Sequence, residues 1–139
     1  LIRIINGKKT NLKIKNNKKI SESILNTTSP YLFENKSDQS SFERLSKRVK
    51  LTRLGGDCYS YCLLADGHID IVVESGLNPW DIRALEPIIM NAGGIIKTWD
   101  NKNISNGGKI IACTNNKVFN KCRSILNKKN PSMNESRMG

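Results

Sequence analysis

The sequence predicts an α/β fold, α+β layered, in which a mixed sheet is covered by helices. Three observations predict it. Strand-like runs alternate with helical segments of roughly 10–14 residues. Ile69-Asp70-Ile71-Val72-Val73-Glu74 is a compact run rich in β-branched residues. Asn78-Pro79 then opens a helix with an apolar stripe at Ala84, Leu85, Ile88, Ile89 and Ala92, closed by Gly93-Gly94.

The elements follow in order. Residues 1–20 alternate apolar and basic character around Asn6-Gly7, a hairpin signal. Ser23 to Thr28 reads as a short strand stopped by Ser29-Pro30. Ser37 to Arg48 is a helix, with Phe42, Leu45 and Val49 at helical spacing. Leu51 to Leu54 is a strand. Gly55-Gly56-Asp57 opens a second helix that runs to about Asp66 and stops at Gly67. After the central strand and the Asn78-Pro79 helix come strands at 95–98 and 109–114, then a helix from Asn116 to Leu126. The organisation expected is a loosely defined segment at 1–22, a lobe at 23–126 and a disordered tail at 127–139.

The 139 residues amount to one domain's worth of chain and can bury a core. No apolar run approaches the ~20 residues that span a bilayer, and no cleavable leader is visible, so the expected location is cytoplasmic and no membrane partner is expected. The chain opens on Leu1, consistent with a piece of a longer protein or a processed one. The net charge of +11 comes from 23 Lys plus Arg against 12 Asp plus Glu. That excess is mostly Lys amid many Asn and Ile, without a basic stripe interleaved with aromatics. It reads as a solvated, compositionally biased surface with a mild attraction for phosphorylated molecules, and no nucleic-acid partner is expected. Cys58, Cys62, Cys113 and Cys122 form no C-x-x-C pair, and His68 is the single histidine, in a loop-like Asp-Gly-His. The cysteines read as small buried side chains in a reduced compartment rather than as disulfides or a zinc site. The lone histidine leaves no Ser-His-Asp or Cys-His arrangement.

Candidate chemistry rests on carboxylates near helix starts. Asp81 lies three and four positions before Ala84 and Leu85, on the side of the apolar stripe, in a first turn that favours negative charge. It either supports the helix start or binds something. Glu74 ends the central strand, where sheet-based folds place functional groups, or is simply a solvated acid. Gly55-Gly56 puts flexible backbone at a helix entry, where N–H groups can hold a phosphate. Asp57 can act there as an N-cap.

The order of motifs narrows these alternatives. Leu54-Gly55-Gly56-Asp57-Cys58-Tyr59-Ser60-Tyr61, Leu63 to Glu74, Leu77-Asn78-Pro79-Trp80-Asp81 and Ala92-Gly93-Gly94-Ile95-Ile96 together resemble the C-terminal half of the inositol monophosphatase superfamily. The family's second signature, an aromatic residue and Asp followed by a Gly-Gly, is matched by Trp80-Asp81 through Gly93-Gly94. Gly-Gly-Asp-Cys-Tyr, with Thr27-Thr28-Ser29-Pro30 and Phe42-Glu43-Arg44-Leu45, looks like the histidinol-phosphate phosphatase branch. Inositol monophosphatases usually carry Gly-Ser where this chain has Gly56-Asp57. Tyr59, Tyr61, Trp80 and Trp99 are expected in the family's core pattern.

That resemblance implies the C-terminal lobe of the inositol monophosphatase/sugar phosphatase fold. The implied activity is that of a Mg²⁺-dependent phosphomonoesterase hydrolysing L-histidinol phosphate in histidine biosynthesis. It makes Asp81 a metal ligand and puts Glu74 and Asp57 against the non-phosphate part of a small phosphorylated substrate. Arg53 would face the same pocket, and the Gly56 region would line the phosphate end. Two acids suit a substrate carrying an amine and an imidazole, and Mg²⁺ suits carboxylate oxygens. The family's other ligands, a Glu-Glu pair and an Asp-Pro-Ile-Asp-Gly-Thr motif, belong to an N-terminal half and do not occur here. The expectation is therefore little activity from the chain alone, and a homodimer in the complete enzyme. Inositol monophosphate and a nucleotide 3′-phosphate are the alternative substrates, and a non-catalytic structural or dimerisation lobe is the alternative role.

Overall fold

The computed structural model describes residues 2–5, 8–11, 19–29, 33, 36–56, 59–102, 104 and 108–128. Strand β1 (Ile2–Ile5) pairs antiparallel with β2 (Lys8–Asn11), with Ile5 opposite Lys8. The two strands pair as the expected hairpin requires, and Asn6-Gly7 lies outside the described residues. A 3-10 turn at Ile20–Glu22 leads into β3 (Ile24–Thr27). Then follow α1 (Lys36–Ser46), β4 (Leu51–Leu54), α2 (Tyr59–Ala65), β5 (Ile71–Leu77), α3 (Pro79–Asn91), β6 (Ile95–Thr98), β7 (Gly108–Cys113) and α4 (Asn116–Leu126). The expected tail lies outside the described residues from 129 on. Asn127 is ordered against the core, its side-chain amide donating to the Trp99 carbonyl at 2.9 Å.

The main sheet has the order β4-β3-β5-β7-β6. Strands β3, β4 and β5 are parallel, and β7 runs antiparallel to both of its neighbours, β5 and β6. It is the helix-covered sheet that the alternation of elements predicted, and it is mixed, as the expected fold class has it. One face packs on α2 and α3: Val72, Ile96, Ile110 and Ala112 meet Tyr61, Leu64, Ile82, Leu85 and Ile89. The other packs on α1 and α4: Leu25, Ile71, Val73, Ile111 and Cys113 meet Phe42, Leu45, Val118, Phe119 and Cys122. Central strand β5 is buried on both faces, which is why its sequence reads as a continuous apolar run rather than an alternating one.

Local chemistry sets the boundaries. Helix α3 ends with the Gly93-Gly94 pair closing it by two backbone bonds, Gly94 N–H to the Ile89 carbonyl at 2.9 Å and Gly93 N–H to the Met90 carbonyl at 3.1 Å. Asn78 occupies the N-cap position of α3, but its side chain makes no capping bond, so Pro79 in the first turn is the working start signal. The apolar stripe of α3 is also shifted: Ala84 is exposed, and Ile82 is buried in its place beside Leu85 and Ile89. Helix α4 is capped by Asn115, whose Oδ1 accepts from Val118 N–H at 2.9 Å. At its other end the Arg44 guanidinium donates to the carbonyls of Ile125, Leu126 and Lys128, tying α1 to α4.

Among the described residues no helix is long and apolar enough to cross a membrane. Cys113 and Cys122 are buried free thiols and Cys62 is half-buried, while Cys58 lies outside the described residues. Burial pushes the Cys113 thiol up to about 12, and burial followed by the neighbouring Cys113 raises Cys122 well above its usual range. His68 is exposed in the turn after α2, with Nε2 2.8 Å from Asp66 Oδ2.

Candidate functional site at the switch point of the sheet

The chain leaves β3 toward β4 through α1, and leaves β5 in the opposite direction through α3 toward β6. Strands β3 and β5 are parallel neighbours, so their C-terminal ends flank a topological switch point. Open α/β sheets bind ligands at such a crevice because diverging connections leave it uncovered.

Glu74 sits at this point on β5 and is buried to 6% exposure. By strand alternation it shares the α2/α3 face with Val72. Its Oε1 accepts a hydrogen bond from the Thr28 hydroxyl at 2.8 Å. The pair continues the β3–β5 register, in which Leu25 faces Ile71 and Asn26 faces Val72. Immediately after Glu74 the β5–β7 pairing shifts register before Leu77 meets Gly108. Such a bulge re-aims a strand end beside a site. Glu74 is thus a held, buried carboxylate and not a solvated strand-end acid.

Gly55 and Gly56 form the turn after β4, at the same end of the sheet. Both have positive φ, +95° and +100°, backbone that L side chains rarely adopt. At Gly56 a Cβ would also stand 2.5 Å from Ser60 Oγ. Ser60 is fully buried and donates to the Gly55 carbonyl at 3.2 Å. Gly55 N–H in turn bonds the carbonyls of Thr27 and Thr28 at 2.9 and 3.0 Å. The turn is pinned to the end of β3, and glycine at 56 lets backbone approach closely. Asp57, the second acid expected here, lies outside the described residues.

Asp81 is half-buried in the first turn of α3, directly beyond the end of β5. Its backbone N–H donates to the Asn78 carbonyl at 3.2 Å. The topology therefore brings Gly56, Glu74 and Asp81 to one end of the sheet. Arg53 is set apart. It is exposed on edge strand β4, facing Asn26 across β3, and two strand spacings, roughly 10 Å, separate it from β5.

Two expectations need amendment. Tyr61 and Trp99 are buried, but Tyr59 and Trp80 are exposed at 65% and 68%. Both stand in first helical turns at the strand-end side, past the edge of the chain's own core, and Leu54 is exposed there too. Asn26 and Thr28 also belong to the arrangement, although neither was given a role from the sequence. Asn26 is buried on the face of Val72, and its Oδ1 has no partner among the described residues. The signal for Thr28 was available, since it stands inside the Thr-Thr-Ser-Pro motif. Its meaning depends on a partner 46 residues away.

For a metal, the described residues at this end of the sheet offer the half-buried carboxylate of Asp81. Among them no group of three or more His, Cys, Asp or Glu could hold a metal ion. A hard divalent cation accepts one or two protein carboxylates beside waters and phosphate oxygens. Asp81 fits that role as one donor of a set whose other members would come from outside the described residues.

A layered α/β domain with a buried acid, a glycine turn and a helix-start aspartate gathered at a switch point is the framework of a small-molecule enzyme. The chain belongs to the inositol monophosphatase family, whose model matches residues 3–132. It is 46% identical over 84 residues to the chloroplastic bifunctional phosphatase IMPL2 of Arabidopsis thaliana, covering 60% of this chain and 24% of that protein. It is 35% identical over 86 residues to the histidinol-phosphatase of Mycobacterium tuberculosis, covering 62% and 33%. An inositol monophosphatase structure from Zymomonas mobilis superposes with a TM-score of 0.80 at 36% identity, covering 88% of this chain and 48% of that one. The chain thus spans about half the length of the solved structure and a smaller share of the curated relatives.

Proposed function

We propose that the chain is the C-terminal part of a Mg²⁺-dependent phosphomonoesterase that hydrolyses L-histidinol phosphate to L-histidinol and phosphate. The observation that carries the substrate choice is Glu74: a buried, oriented carboxylate at the switch point, which a cationic group on the alcohol would complement. Identity to a histidinol-phosphatase supports the same choice. Inositol phosphate and nucleotide 3′-phosphates stay as competing substrates within the family.

In this reading the Gly55-Gly56 turn lets backbone approach the phosphate end, while Glu74, with Asp57, faces the amine and imidazole. Arg53 would reach that pocket only along its extended side chain. Asp81 would hold Mg²⁺ together with acids from an N-terminal half and with phosphate oxygens. Bound there, Mg²⁺ would supply neutralisation of the phosphate's charge. The complete enzyme is proposed to be a homodimer.

The test is complementation. The chain is combined with an N-terminal half carrying the Glu-Glu and Asp-Pro-Ile-Asp-Gly-Thr motifs, and phosphate release from histidinol phosphate is followed with and without Mg²⁺. Asp81→Asn should lower kcat/KM at least a hundredfold, about 3 kcal/mol of transition-state stabilisation. Activity that survives this substitution, or faster turnover of inositol phosphate than of histidinol phosphate, would refute the respective half of the reading.

A further inference from the structure

We propose that Thr28 is a positioning residue for substrate selection: its hydroxyl fixes the orientation of Glu74 toward a cationic group on the substrate's alcohol. This rests on the substrate reading above and adds to it the group that makes the acid selective.

A glutamate has three rotatable side-chain bonds, and burying its charge is costly unless donors meet it. At Glu74 the Thr28 hydroxyl is such a donor, 2.8 Å from Oε1. Thr28 is itself stiff. Its β-branched side chain is restricted at χ1, and its carbonyl is held by Gly55 N–H at 3.0 Å. The strand end, the glycine turn and the acid are therefore linked through one residue. The backbone of Thr28 serves the turn expected at the phosphate end, and its side chain serves the acid expected at the alcohol end. A hydrogen bond to a carboxylate contributes enough to matter for selection, since it sets the direction of the acceptor.

The side chain can be dissected without disturbing the backbone. Thr28→Val keeps the shape, the strand preference and the carbonyl bond to Gly55 but removes the donor. Thr28→Ser keeps the donor. Both are made in the complemented enzyme and assayed on L-histidinol phosphate and on β-glycerophosphate, whose alcohol is uncharged. The ratio of kcat/KM for the first over the second should fall roughly tenfold in Thr28→Val, through KM. In Thr28→Ser it should return to within about threefold of the parent. In parallel, the ¹³C carboxyl resonance of Glu74, assigned by its loss in Glu74→Gln, is followed in the chain carrying each variant, with thermal melting as the check on folding. The resonance should move in Thr28→Val and stay near its parent position in Thr28→Ser.

An equal loss on both substrates would make Thr28 a structural support of the Gly55 turn and overturn the proposal. So would an unmoved Glu74 resonance in Thr28→Val. A parent enzyme that shows no preference for histidinol phosphate would instead refute the substrate reading, while the resonance still reports whether Thr28 holds Glu74.

Discussion

Asp70 and Glu74 stand four residues apart, one just before β5 and one within it, and by alternation they face the same side of the sheet. Both are buried, at 1% and 6% exposure. Each meets a residue 46 positions earlier in the chain, Ile24 at the start of β3 and Thr28 just past its end, because the two parallel strands run in step. The donors differ. Asp70 Oδ2 accepts the backbone N–H of Ile24 at 2.8 Å, and Asp70 N–H returns a bond to the Ile24 carbonyl at 3.0 Å. Glu74 accepts a side-chain hydroxyl. A backbone clamp forms whatever residue occupies position 24, so Asp70 aligns the strands. A hydroxyl exists only while Thr or Ser stands at 28, so the Glu74 contact is a property of sequence. The same kind of acid builds the fold at one end of the strand and dresses the site at the other.

The largest effect that separates the two acids is on stability. Asp70→Ala strips the Ile24 amide of its charged partner inside the core and should cost about 3 kcal/mol. It would show as a lower denaturation midpoint at unchanged m-value. Glu74→Gln keeps an acceptor for Thr28 and should cost less than about 1 kcal/mol. If Glu74→Gln proves the more damaging of the two, the division between a structural end and a functional end fails.

A smaller effect, about 2 kcal/mol, is expected at Gly56. Alanine there must adopt φ near +100° and bring its Cβ to 2.5 Å from Ser60 Oγ. Ser60 would have to turn, giving up its bond to the Gly55 carbonyl. Adding Ser60→Ala should remove part of that cost, a departure from additivity that a double-mutant cycle measures. Equal costs in the two backgrounds would leave backbone strain alone as the cause.

Much of this was legible in the sequence, and what was hidden has one cause. Helix α3 announced itself by Pro79, its apolar spacing and Gly93-Gly94, all local signals. Asp81 could be placed at a helix start for the same reason, and the order of motifs pointed to the family; Glu74, read as the last residue of its strand, lies within β5, which runs on past the register shift to Leu77. The different duties of Asp70 and Glu74 could not be read, because they depend on which atoms of β3 arrive opposite them. Thr28 was written in plain sight for the same reason without effect: register decides its partner, and register is a long-range property. The exposure of Tyr59 and Trp80 has a related origin. Aromatic residues at helical spacing read as core, yet these two lie in first turns beyond the last layer this chain can bury. The shift of the α3 stripe from Ala84 to Ile82 is a local error of phase, of the kind a small residue such as Ala permits.

The last effect, the smallest when taken per pH unit, probes the structural end through pH. Cys113 lies opposite Ile71 on β7, at the Asp70 end of β5, and its thiol is held up to about 12 by burial. Unfolding exposes it to water, where it ionises from about pH 9. Between those values the unfolded state binds fewer protons than the native one, so stability falls as pH rises, by about 1.4 kcal/mol per pH unit for each such thiol. Below pH 9 both states keep the proton and this contribution to stability is fully present. Cys122 shifts in the same direction, first by burial and then by the nearness of Cys113. The informative quantity is the difference between the parent chain and Cys113→Ala. The variant should lose stability less steeply from pH 9 to 11 in urea titrations, whatever its starting midpoint. Parallel slopes would mean that the β5–β7 core at this end opens readily enough to ionise the thiol without global unfolding. The end assigned to structure would then be no more firmly closed than the end assigned to function.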